Sequence, residues 1–473
     1  MATDYRTESD MLGQMRVPAE AYWGINVARA VENFPLLRRP IHPELVTCLA
    51  IVKKAAALAN MKVQALDSGI GQAICRACDE IIEGGLHDQF VVDALQGGAG
   101  TSANMNANEV IANRAIEILG GRKGDYSRVH PNDHVNLSQS TNDVFPTAVK
   151  VAAIRLLRPV SGAMSDLQAA LQDKEKQFAG VVKLGRTEMQ DAVPITMGQT
   201  FAAWAQAVQR DWWRLYKVEE RLRQVNMGGT AIGTGLNAPL LYVFAVADIL
   251  RDLTGLGIAR AENLIDVTQN CDVFVEVSGL LKAAAVNLAK IAADLRLLSS
   301  GPRSGIGELR LPALQAGSSI MPGKVNPVIT EAVTQAAYQV MANDQAITLA
   351  AQAGQMELNA FIPLIAHNLF EALDLLQRST RMLIDKCIKG IEVDQERCTR
   401  LLEQSTALAT AMAPYIGYEQ ASAVAKKALS GGGSVPEILL TQGLVTPEQL
   451  ETMMRPDQLT TPGIAGDKQR RQT

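Results

Sequence analysis

Residues 316–327 read Ala-Gly-Ser-Ser-Ile-Met-Pro-Gly-Lys-Val-Asn-Pro. Two adjacent hydroxyls, Ser318 and Ser319, share this stretch with glycines, prolines and Lys324, in a segment too heavily punctuated to continue a helix. Such a loop can close over a small anion, with a serine as base or nucleophile and a buried-looking lysine holding a carboxylate. As a bare string, a Gly/Pro turn carrying a solvated lysine is the commoner meaning. Three further strings have the same small, hydroxyl- and amide-bearing character: Gly100-Thr-Ser-Ala-Asn-Met-Asn, Ser138-Gln-Ser-Thr-Asn-Asp and Gly185-Arg-Thr-Glu-Met-Gln-Asp-Ala. Their Ser, Thr and Asn side chains can each give a hydrogen bond to an anionic oxygen. Taken one at a time, each is more often a helix cap or a turn.

The segment Gly317-Ser-Ser-Ile-Met-Pro-Gly-Lys-Val-Asn-Pro resembles the signature of the aspartase/fumarase superfamily, whose members cleave a C–N or C–O bond and release fumarate. The resemblance runs from Asp10-Met-Leu-Gly and Val17-Pro-Ala-Glu-Ala-Tyr-Trp-Gly to the Gly-rich segment near Gly431, and all four strings fall in the superfamily's substrate-contact regions. It implies that Thr101, Ser140, Thr141 and Ser319 hold the β-carboxylate, and that Thr187, Lys324 and Asn326 hold the α-carboxylate. It places Asn142 at the leaving group and makes Ser318 the base that removes the Cβ proton. That proton is very weakly acidic, and its loss puts two negative charges on the neighbouring carboxylate as an aci form. Donors fixed in advance around that charge lower the barrier, each worth roughly 10²–10³-fold in rate.

Within the superfamily, hydratases usually read His-Pro-Asn-Asp-Asp-Val-Asn and Ser-Ser-Asn-Asp. This chain has His134 in the first string and Thr141 in the second, both of which resemble the ammonia-lyase that takes L-aspartate to fumarate and ammonia. Position 188 departs from the family: a glutamate stands where the hydratases and some ammonia-lyases carry a histidine that pairs with a Glu, matched here by Glu331. A carboxylate at 188 suits a substrate ammonium better than a hydroxyl, and two acids brought close would favour protonation of one. Fumarate hydratase acting on L-malate, an ammonia-lyase for a substituted aspartate, and a non-catalytic scaffold on the same fold are the alternatives. The last predicts damage at Ser318, Lys324 or Asn326, and all three are intact. The implied reaction uses no cofactor, and the five histidines are scattered, with no metal-ligand cluster.

These strings need long rigid elements to carry them. Residues 144–176, 198–225, 271–298, 328–351 and 362–389 carry apolar residues at 3- and 4-residue spacing. A 27-residue helix is about 40 Å long, so the expectation is a mainly all-α chain with a central bundle of long helices. Shorter helices are expected around Val52–Asn60 and Ala103–Leu119. Three parts are read: a mixed, mostly helical segment 1–142, the bundle 143–392, and a small helical segment 393–473. The resemblance implies that the bundles form the core of a homotetramer whose active sites draw on three subunits. The Gly-rich run from Gly228 reads as turns, because no βαβ unit surrounds it to make a nucleotide loop.

Composition agrees. The 473 residues are 47% hydrophobic but only 4% aromatic, a core of Ala, Leu, Val, Ile and Met that favours helix. The net charge of −4 is spread without a basic stripe, which argues against a nucleic-acid or membrane surface. The first 15 residues lack a signal-peptide apolar region. Cys75 and Cys78 sit in a helical pattern without a second pair at zinc-finger spacing, so the six cysteines are read as buried reduced thiols and the protein as cytoplasmic. The Lys468-Gln-Arg-Arg tail reads as a frayed terminus.

Overall fold

The computed structural model describes residues 4–464, and the Lys468 tail lies outside them. The described chain is mainly α-helical. It opens with an antiparallel hairpin, β1 (Tyr5–Asp10) and β2 (Gly13–Pro18), followed by α1 (Ile25–Asn33), α2 (Pro43–Lys62), α3 (Ser68–Ile82) and α4 (Thr101–Ile118). Then come α5 (Thr141–Gln177), a second antiparallel hairpin of β3 (Val182–Thr187) and β4 (Gln190–Thr196), and α6 (Met197–Leu222). A two-residue parallel ladder joins β5 (Gln224–Val225) to β6 (Ala259–Arg260), with α7 (Leu240–Thr254) between them. Next are α8 (Leu264–Gln269), α9 (Asp272–Leu298), β7 (Leu309–Arg310), α10 (Val328–Gln352) and α11 (Ile362–Lys386). The last part holds β8 (Glu392–Val393), paired with β7, and α12 (Gln395–Gln404), α13 (Ala407–Ile416), α14 (Tyr418–Leu429), α15 (Val435–Thr441) and α16 (Pro447–Met453). The five long helices begin and end within a few residues of the limits expected from their spacing.

Contacts divide the chain into two compact units. One comprises residues 1–161, 213–285 and 337–377; the other comprises 162–212, 286–336 and 378–473. Each of α5, α6, α9, α10 and α11 starts in one unit and ends in the other.

In the first unit α2 packs on α3 and α7, and α3 on α4. Helix α2 is apolar almost all round, with Leu45, Leu49, Val52, Ala55, Ala56 and Ala59 at most 2% exposed, as a helix enclosed on every side must be. Here α9 and α10 are joined by Ser278 Oγ and Lys282 Nζ, each 2.6 Å from the Asp344 carboxylate. Arg158 of α5 grips Glu219 of α6 through two nitrogens at 2.9 Å. Lengthwise bonds of this kind hold helices side by side, as expected of a bundle.

In the second unit Trp204 Nε1 of α6 donates to Asp294 of α9 (3.2 Å), and Asn287 of α9 donates to Asp211 of α6 (2.7 Å). The helices α12–α16 close over a core that includes Leu184, Leu402, Leu408, Met412, Ile438 and Leu439. Leu184 brings the β3–β4 hairpin into that core. All six cysteines are free and buried, in line with the reading of Cys75 and Cys78. Among the described residues no helix is long and apolar enough to cross a membrane, and no group of three or more His, Cys, Asp or Glu could hold a metal ion.

Candidate active site

In the first unit the expected contact strings lie where helices begin. Thr101 is the first residue of α4 and donates its hydroxyl proton to Gly98 O at 2.6 Å. Gly100 just before it has φ +95°, and a Cβ there would lie 2.5 Å from the Phe145 ring, so the turn admits no other residue. Ser140 precedes α5, and Thr141, Asn142 and Asp143 form its first turn rather than the loop the residue types suggest. The helix starts this early because its end is capped by side chains. Asp143 Oδ1 accepts the Ser140 N–H at 3.0 Å, and Ser140 Oγ accepts the Asn142 N–H at 3.2 Å. Pro146 has no N–H for the Asn142 carbonyl four residues earlier; Asn226 Nδ2 donates to it instead, at 2.8 Å.

A buried polar network lies behind this turn. Asn104 Nδ2 donates to Thr141 Oγ1 at 3.1 Å and to Asn136 Oδ1 at 3.2 Å. Asn136 Oδ1 also accepts from Asn108 (3.2 Å) and from Lys53 Nζ (2.8 Å). Lys53 is fully buried, and burial pulls its ammonium down to about 7 against the opposing charge of Asp143. Burial likewise pushes the Asp143 carboxyl up to about 7, opposed by backbone N–H donors and by Lys53. The Thr141 oxygen is thus supplied with a proton from Asn104, and its own O–H remains available to donate. Asn142 Nδ2 donates to Ala231 O at 2.8 Å. His134 sits on a tight turn at Pro131–Val135, where its Nδ1 accepts the His130 N–H at 2.8 Å and burial lowers its affinity for a proton.

In the second unit Thr187 and Glu188 lie on the β3–β4 hairpin, not in an irregular loop. Thr187 ends β3 opposite Gln190, and Glu188 and Met189 form the two-residue turn with φ 51° and 65°. Paired left-handed residues match the twist of a tight hairpin. Along β3 the fully buried Glu308 meets Arg186 Nη1 at 2.8 Å and Lys183 Nζ at 3.0 Å. Thr187 and Glu188 are exposed.

The signature loop connects β7 to α10 and folds on itself. Gly317 N–H donates to Lys324 O at 3.0 Å, and Asn326 Nδ2 donates to Gly317 O at 3.1 Å. A Cβ on Gly317 would lie 2.3 Å from Lys324 O. Ser318 Oγ accepts two backbone N–H groups, from Ile320 at 3.2 Å and Met321 at 3.0 Å. Lys324 is exposed, contrary to its buried look in sequence: residues 319–325 are exposed throughout, and none of the described residues buries it. Glu331 is half-buried in the first turn of α10.

The structure therefore gathers Ser140, Thr141 and Asn142 on one helical turn, linked through Asn104 to the helix that Thr101 begins. It gathers Ser318, Ser319, Lys324 and Asn326 in one closed loop, and puts Thr187 and Glu188 on one hairpin. Sequence reading did not single out Lys53, Asn104, Asn136, Asp143 or Glu308. The run of buried asparagines in α4 is the one available signal, since amides enclosed in a helix core must have partners.

A lyase family model matches residues 13–342, and a model described as the fumarase C C-terminus matches residues 408–461. The chain is 50% identical over 463 residues to an aspartate ammonia-lyase of Bacillus subtilis, covering 98% of each chain. Among solved structures it is similar to a fumarate lyase:delta crystallin from Brucella melitensis bound to cobalt, with TM-score 0.94 and 50% identity, over 97% of this chain and 100% of that one. It is also similar to a class II fumarase from Schistosoma mansoni, with TM-score 0.91 and 34% identity over 97% of this chain and 100% of that one. With its signature loop, its long helices and these full-length likenesses, the chain belongs to the aspartase/fumarase superfamily of lyases.

Proposed function

We propose that this protein is an aspartate ammonia-lyase, a carbon–nitrogen lyase that converts L-aspartate reversibly to fumarate and ammonia. The observation that carries the chemistry is the Ser318 oxygen, which accepts two backbone N–H groups in a loop closed by Gly317, Lys324 and Asn326. Hydrogen bonds to an oxygen favour its charged form, so the loop stabilises the serine alkoxide that must act as base. The half-identity to an aspartate ammonia-lyase along nearly the whole chain supports the choice of substrate over malate.

In this reading Ser318 takes the Cβ proton. The C–H electrons move onto the β-carboxylate as the aci form, held by Thr101, Ser140, Thr141 and Ser319. Collapse of that form makes the C=C bond and breaks the C–N bond, and the amine leaves past Asn142 and Glu188 carrying the bonding pair. Thr187, Lys324 and Asn326 hold the α-carboxylate, with Glu331 and His134 in support. The reaction is redox-neutral. The same reading makes the protein a cytoplasmic homotetramer in which each site takes its strings from three subunits; the exposure of Lys324 and Thr187 in the single chain leaves both side chains open to such a partner. The three-part division at 142 and 392 belongs to the same reading.

Purified protein given L-aspartate or L-malate, with fumarate followed by its ultraviolet absorbance, tests the assignment. Fumarate should form from L-aspartate and not appreciably from L-malate; faster turnover of malate makes the protein a hydratase.

A further inference from the structure

Asp143 has a place in the structure that the catalytic scheme leaves unused. Its carboxylate is fully buried and joins two stretches of backbone: Oδ1 accepts the N–H of Ser140 at 3.0 Å, and Oδ2 accepts the N–H groups of Gly228 at 3.2 Å and Thr230 at 3.0 Å. Thr230 has φ 54°, a left-handed conformation that a β-branched residue adopts only under constraint. Its hydroxyl donates to Leu236 O at 3.0 Å, closing the same loop. The next residue is Ala231, whose carbonyl accepts from Asn142 Nδ2 at 2.8 Å. An amide that donates through its nitrogen to a fixed carbonyl has its oxygen, an acceptor, as the open end. An acceptor suits a substrate ammonium, whereas the opposite rotamer would present a donor to it.

We infer that Asp143 is a positioning residue for substrate choice: by holding the Gly228–Ala231 backbone against the Ser140–Asn142 turn, it fixes the Asn142 carboxamide with its oxygen toward the substrate's amino group. This rests on the proposed role of Asn142 at the leaving group. Asp143→Asn keeps the shape but replaces one acceptor oxygen by an NH2 donor. Whichever way that amide turns, at least one buried backbone N–H faces a donor, and the clamp opens on one side.

The experiment uses the full-length protein as wild type, Asp143→Asn, Asn142→Ala and the double variant. Two quantities are measured: kcat/KM for L-aspartate by fumarate release, and the inhibition constant of succinate, which has both carboxylates and no ammonium. Asp143→Asn should lower kcat/KM for L-aspartate at least tenfold while succinate inhibition shifts less than threefold, and the double variant should be no worse than Asn142→Ala alone. Equal losses for both ligands, or losses that multiply in the double variant, overturn the inference and leave Asp143 a fold residue. Should Asp143→Asn fail to fold by circular dichroism, Asp143→Glu keeps both acceptor oxygens but shifts them by one methylene, displacing the same loop. It should show the same selective loss, and an unselective effect or none overturns the inference. Wild-type protein that makes no fumarate from L-aspartate removes the functional reading itself, and the inference with it. Normal wild-type turnover with unselective variants removes only the inference.

Discussion

A serine hydroxyl in water is far too weak a base to take a proton from carbon, so the environment of Ser318 must supply the difference. Two backbone N–H groups on Oγ supply part of that stabilisation, in the manner of the donors at oxyanion sites. Ser318→Ala should therefore lower kcat at least 10²-fold while leaving the circular dichroism spectrum and the thermal midpoint near those of wild type, because this half-buried loop hydroxyl packs against little. Retention of a tenth of the wild-type rate would be incompatible with an essential base. Glu188 gives a second test. A carboxylate meeting the substrate ammonium contributes about 1.5–3 kcal/mol, so Glu188→Gln should weaken L-aspartate binding tenfold or more while succinate binding holds or improves. Equal losses for both ligands would leave Glu188 as a hairpin residue only. The strings proposed to carry this chemistry could be picked out in sequence because each is short and contiguous. The partners behind them were not: Lys53 follows Val52 and precedes Lys54 in an apolar helix, and nothing in the string distinguishes the lysine that is fully buried from the one that reaches Asp79 at the surface.

Long helices were legible because a 3.6-residue apolar period repeated over 25 or more residues has no competing interpretation. The β3–β4 hairpin was missed for the opposite reason. Its strands are six and seven residues long, its turn residues are Glu188 and Met189 rather than Asn-Gly, and a bulge between Leu184 and Arg186 breaks the alternation. What holds it is a remote carboxylate, Glu308, which lies 122 residues from Arg186 in the chain. Removing one member of a buried ionic cluster strands the others, at about 3–5 kcal/mol. Glu308→Ala should accordingly lower the thermal midpoint by several degrees and, through the displaced hairpin, lower kcat/KM for L-aspartate. Glu308→Gln, which can still accept from one of the two cations, should recover part of both losses. A Glu308→Ala protein with unchanged midpoint and activity would show that the hairpin is held by its apolar contacts through Leu184 alone.

At the scale of the whole molecule, the single chain leaves much apolar surface in water: Leu240 is 69% exposed, Leu241 71% and Phe244 51% on α7, and Ile320 is 83% exposed beside the proposed base. Monomeric proteins rarely leave large apolar groups together in solvent without a partner to cover them, and a homo-oligomer is the simplest source of cover. In the proposed tetramer Thr187 and Ser318 that act on one substrate belong to different subunits. Ser318→Ala and Thr187→Ala homo-oligomers should each be nearly inactive. Mixed, partly dissociated with mild denaturant and reassembled, they should regain activity, because some sites then draw Ser318 and Thr187 both from intact chains. With equal amounts and random assembly, a site that takes these two residues from two different chains has about one chance in four of receiving both wild-type residues, so roughly a quarter of wild-type activity is the ceiling expected from counting subunits. Light scattering on the same samples separates the alternatives. A tetramer that regains activity supports shared sites. A tetramer that regains none means that each site takes both residues from one chain, and an active monomer would remove the assembly from the mechanism altogether.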